Sequence, residues 1–140
     1  MDIDIYNEVH QIVCDLVNAS AIDDTKAYWK LYHALEVICE SNDSTKRDHP
    51  FQWETLADFT TDDSASLSLY GKAFNLAKAL SLNEYMASIQ LALAERYVEL
   101  GMHDKAYLCA NAANEYAVKT EDLDLRKSIS EFLLSGNDDT

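Results

Sequence analysis

The sequence predicts an all-α fold: about seven helices stacked as antiparallel hairpins. Three observations carry that expectation. Glycine and proline are scarce, three and one in 140 residues, while Leu, Ala, Glu and Lys, the good helix formers, are plentiful. Apolar residues recur three and four apart along nearly the whole chain, the period of a helix with one wet face. In the stretch 91–113 two such runs meet at Gly101, a residue that can take the left-handed conformation that ends a helix. Leu93, Ala94, Tyr97 and Leu100 form a stripe before it, and Ala106, Ala110 and Ala113 a stripe after it. Small residues at that spacing let two backbones approach closely. A hairpin of this kind cannot bury both its faces alone and needs neighbours stacked on it.

In chain order, Ile5, Tyr6, Val9, Ile12, Val13, Leu16 and Val17 define a first amphipathic helix over 3–19. The turn Asn18–Asp24 follows, with Ser20 or Asp23 able to cap the next helix. That second helix, about 24–41, is apolar on more than one side through Trp29, Leu35 and Val37, so it is expected to be central. The polar run 41–50 reads as a loop, and Pro50 suits the first turn of a short aromatic helix over 50–60. Thr61 can cap helix four, whose inward residues include Tyr70, Ala73, Ala77 and Leu80. Gly71 falls inside that helix, where close packing on a neighbour would explain it. Asn83 can cap helix five, which ends at Gly101; helix six covers 103–118. Thr120 opens a seventh helix that Gly136 ends. Residues 1–136 thus read as one domain and 137–140 as a disordered tail.

Composition excludes several classes of function. The net charge is −14, spread as nine acids against two bases in 1–45, eight against five in 46–100 and eight against four in 101–140. Nucleic acid needs clustered Lys and Arg and would be repelled, as would an anionic membrane surface. A basic protein would be steered in, although such charge also serves plain solubility. No run of roughly 18 apolar residues could span a bilayer. The acidic N-terminus lacks the positive start of a secretory signal. Cys14, Cys39 and Cys109 are odd in number and read as structural thiols in a reducing cytoplasm. His10 and Cys14 stand one helical turn apart, but two ligands do not make a zinc site. No glycine-rich phosphate loop or nucleophile elbow is present. A cofactor, a metal and an enzyme are therefore not expected.

Leu93, Ala94, Tyr97, Gly101, Ala106 and Ala113 occur at the spacing of a tetratricopeptide repeat (TPR), and residues 88–120 resemble that family. Residues 51–80 resemble it more weakly through Leu56, Ala57, Tyr70 and Ala73, with a shorter turn and no glycine. In that family the first helix of each repeat lines a groove that holds the ligand. The resemblance then implies that Ser88, Leu91, Glu95, Val98 and Glu99 face the groove, together with Glu54, Asp58 and Thr61. Glu54 and Asp58 are four apart, as are Glu95 and Glu99, and each pair repels itself by roughly 0.2–0.5 kcal/mol. A cationic partner would relieve both pairs; a merely solvated acidic face is the plainer reading. The expected function is a non-enzymatic, protein-binding module that neutralises a basic partner such as a toxin domain, as immunity proteins do. A secretion chaperone or a regulatory adaptor of the TPR type is the alternative, and a small helical enzyme with an unrecognised site is the alternative from another class.

Overall fold

The computed structural model describes residues 2–138, with side chains as far as Ser135. Among the described residues there are seven helices and no strand: α1 Ile3–Ala21, α2 Thr25–Asn42, α3 Pro50–Asp58, α4 Asp63–Ala79, α5 Asn83–Glu99, α6 His103–Ala117 and α7 Leu123–Asp138. Each helix packs on the next, and the α5–α6 contact is the most extensive. The α3–α5 and α5–α7 pairs touch as well, which sets these odd-numbered helices side by side. The fold is all-α, built by adjacent-helix packing.

The α1–α2, α4–α5 and α5–α6 connections are tight because the backbone closes them. The N–H groups of Asp24, Leu82 and Met102 donate to the carbonyls of Ala19, Ala77 and Tyr97 at 2.9, 2.9 and 2.8 Å. These six-residue closures satisfy carbonyls that a helix end leaves free. The residue before each donor, Asp23, Ser81 or Gly101, takes a φ of 54°, 57° or 74°. Only Gly101 makes that turn without a Cβ penalty. The donor residue then serves as the N-cap of the next helix, which moves the caps away from the expected positions. Asp24 rather than Ser20 or Asp23 caps α2, accepting from the Ala27 N–H. Asp62 rather than Thr61 caps α4. Leu82 precedes α5 with no side-chain cap, and Asn83 is already helical. At the far end, α7 continues through Gly136 to Asp138. The expected stop at Gly136 is thus corrected, and 139–140 lie outside the described residues.

Two apolar clusters hold the stack. The larger joins α1 to α5 through residues such as Val9, Leu16, Leu35, Leu56, Tyr70 and Ile89. The smaller joins α5, α6 and α7 through Ala87, Leu91, Ala113, Ala117 and Ile129. The alanine stripe of α6 (Ala106, Ala110, Ala113 and Ala117) is buried throughout, as is Ala94 opposite. With so little side chain between them, α5 and α6 approach closely. Ala87, near the start of α5, and Ala117, at the end of α6, share one buried cluster, as antiparallel helices require.

Three expectations about packing are overturned. Helix α2 is not central: it packs on α1 and α3, leaving Trp29 and Val37 47% and 46% exposed. Its second apolar side faces outward because the chain passes on to α3 without covering it. Leu80 is the last residue before the α4–α5 turn and is exposed rather than inward. A Cβ placed on Gly71 would meet nothing within 4 Å, so no close packing demands glycine there. Gly71→Ala is therefore expected to stabilise the protein by about 0.5–1 kcal/mol, since alanine loses less backbone entropy in a helix. Urea denaturation would register the gain, and a loss would mean that α4 needs the flexibility. The thiols also divide: Cys39 is buried and donates to the Gln52 carbonyl at 3.3 Å, whereas Cys14 is exposed.

Candidate functional site

The odd-numbered helices line an open pocket of about 310 Å³. Helix α1 contributes Tyr6; α3 contributes Phe51, Glu54, Thr55 and Asp58; α5 contributes Glu84, Tyr85 and Ser88. Asp122, just before α7, and Leu125 on it close one side. The spacing explains the convergence. Glu54 and Asp58 are one turn apart on α3, and Glu84, Tyr85 and Ser88 fall within one turn of α5, so each helix turns a single face inward.

Three of the expected groove residues meet there. The Ser88 hydroxyl donates to Glu54 Oε1 at 2.5 Å, which bridges α5 and α3. The Tyr70 hydroxyl of α4 donates to Asp58 Oδ1 and fixes it from behind. Crowding by protein pushes the Glu54 carboxyl up to about 7; the Ser88 hydrogen bond opposes that and the Asp58 charge adds to it. Asp58 keeps surface open to solvent, yet its carboxyl is raised too, by loss of surrounding water, against the pull of Tyr70 and Arg96. The Tyr85 phenol is raised by burial, then by the neighbouring Glu54 charge. Stripping water from a carboxylate disfavours its charged form, and a nearby like charge does the same.

Glu95 and Glu99 continue the acidic strip beyond the pocket along α5. Both are exposed. Glu95 is close enough to Asp58 and Glu99 that their charges, after its own partial burial, raise its carboxyl. Arg96 lies beside this strip, its side chain 16% exposed, within 3.3 Å of Asp63 and 3.4 Å of the Thr60 carbonyl. It tempers Asp58 without entering the pocket lining.

The remaining positions go elsewhere. Leu91 is buried in the cluster between α5, α6 and α7, so it is a packing residue rather than a groove residue. Thr61 lines a separate depression with Asp24, Tyr28 and Trp29 at the α1–α2 turn. Val98 is 41% exposed and lies outside the pocket lining. Sequence reasoning missed Tyr6, Phe51 and Tyr85 as pocket walls because aromatic residues at helical spacing read as core. It missed Glu84 and Asp122 as well, although Glu84 stands four residues before Ser88 and so shares its face. His10 Nε2 and Cys14 Sγ come within 3.9 Å of each other on α1. Among the described residues no helix is long and apolar enough to cross a membrane.

Comparison with protein-family models, with curated proteins and with solved structures gave no match.

Proposed function

We propose that this chain is a TPR-like helical repeat that binds a basic protein partner through the acidic face of its odd-numbered helices, and that covering the partner neutralises it in the manner of an immunity protein. One observation carries this reading. Glu54, Asp58, Glu95 and Glu99 form a continuous strip; three of the four carboxyls are held towards protonation by crowding, and Glu54 and Glu95 also by neighbouring carboxylates. Such a strip is electrostatically unfavourable in the free protein, and a cationic guest relieves it. The close α5–α6 approach and the contacts between odd-numbered helices support the repeat assignment. A chaperone for extended apolar segments fits less well, because its groove would be lined by apolar residues rather than this strip.

The test is capture from a lysate of the source cells with wild-type and Glu95→Lys/Glu99→Lys baits at two salt concentrations. Both residues are exposed, so the double variant is expected to keep its helicity. A basic protein retained by the wild type and lost with the variant or at high salt is the expected result, with the change mostly in association rate. A partner retained equally by both baits would remove the acidic strip from the interface.

A further inference from the structure

The pocket at the head of the strip holds more than charge. The rings of Tyr6, Phe51 and Tyr85 line it alongside Glu54, Asp58, Glu84 and Asp122. Tyr6 and Phe51 stack with centroids 5.1 Å apart, and Tyr85 is held edge-on by His49 at 4.9 Å. These walls are fixed by their neighbours. Glu54 and Asp58 are fixed as well, by the hydroxyls of Ser88 and Tyr70. At about 310 Å³ the pocket is at the small end of the range for ligand sites, roughly 300–1,000 Å³. That volume is enough for one long side chain.

Aromatic faces attract cations through the ring quadrupole, and carboxylates attract them by charge. The guanidinium group answers to both. It is planar, weakly hydrated for a cation, stacks on rings and donates in a fork that matches a carboxylate. An ammonium is compact and strongly hydrated, so it gains less from such walls.

We propose that this pocket is an arginine socket, taking one arginine side chain presented by a protein partner, with its guanidinium on Glu54 and Asp58 and its faces against the aromatic wall. The inference rests on the groove reading above and names its anchor. Entry of the cation favours the charged form of Glu54, so binding releases a proton near neutral pH. The other titratable groups that line the pocket with Glu54 are Tyr6 from α1, Asp58 from α3, Glu84 and Tyr85 from α5, and Asp122 before α7.

The probe is acetyl-Gly-Arg-Gly-amide, titrated into the full chain and followed through backbone amide shifts, with the citrulline and lysine peptides as comparisons. Saturable shifts at Glu54, Ser88 and Asp122 are expected with the arginine peptide. Citrulline, of nearly the same shape but uncharged, should bind about tenfold more weakly or worse, and lysine several-fold more weakly. Glu54→Gln keeps an acceptor for Ser88 and should weaken arginine binding at least about fivefold. Equal binding of citrulline, equal or tighter binding of lysine, or indifference to Glu54→Gln would overturn the socket. Shifts that spread without saturation over Glu36 and Glu40 of α2 would do the same. The two readings fail separately: if capture still depends on Glu95 and Glu99 while the socket stays empty, the socket is wrong and the strip survives; if the socket fills while capture ignores Glu95 and Glu99, the groove reading is wrong.

Discussion

Ile89→Ala is expected to lower the unfolding free energy by about 2–5 kcal/mol. Ile89 is fully buried in the larger cluster, while Ala87 and Leu91, two residues either side, belong to the smaller one. Helix α5 is therefore the element through which both clusters are joined, and it packs on α3, α4, α6 and α7. Truncation removes three heavy atoms from a site with neighbours on every side, and a helix clamped between four others can collapse only partly into the void. Val98→Ala, at an exposed position on the same helix, should change stability by no more than about 0.5 kcal/mol. Urea denaturation of both variants decides the matter. A loss under about 1 kcal/mol for Ile89→Ala would mean that α5 is not the common support of the stack.

Glu54→Gln should do the reverse and stabilise the protein, but only where Glu54 would be ionised. The folded-state value of about 7 lies above the ordinary 4.5, so folding takes up a proton in the interval between them. As far as this group is concerned, stability is complete below about pH 4.5 and falls as the pH rises through about 7. Glutamine has no charge to desolvate and escapes that loss. The full shift would be worth about 3 kcal/mol, and residual water at the pocket mouth reduces it to about 1–3 kcal/mol at pH 8. By pH 4 the difference should be within a few tenths of a kcal/mol. Asp58 and Glu95 are raised in the same sense, whereas burial lowers His49 and makes its contribution fade as the pH falls. The difference between variant and wild type removes the Glu95 and His49 contributions and reads Glu54 together with its coupling to Asp58. Thermal denaturation across the pH range reads it out, and a difference independent of pH would show that Glu54 is ordinarily solvated.

Much of this was legible in the residues. The stripes on α5 and α6 needed only helical periodicity, because Ala106, Ala110 and Ala113 pack with few alternatives. Glu54, Asp58 and Ser88 converge because faces one turn wide on neighbouring helices have one way to meet. Turns were less legible: Asp23 and Ser81 adopt a conformation that residue type disfavours, since the closing backbone hydrogen bond outweighs that preference. The walls Tyr6, Phe51 and Tyr85 could not be told from core, because burial depends on which helix comes next to which. The same holds for α2, where Trp29 and Val37 look like core residues and face outward for want of a neighbour. Leu91 illustrates the limit of position-by-position transfer, since α7 covers a site that a groove would leave open.

The pocket strips water from Glu54, and a cation entering it would favour the charged carboxylate. Carbon-13 titration of the Glu54 side-chain carboxyl, alone and with acetyl-Gly-Arg-Gly-amide, measures this directly. The midpoint should be near 7 in the free protein and should fall towards the ordinary carboxylate range as the peptide saturates the pocket. A free-protein midpoint near 4.5, or a midpoint that the peptide leaves in place, would contradict it.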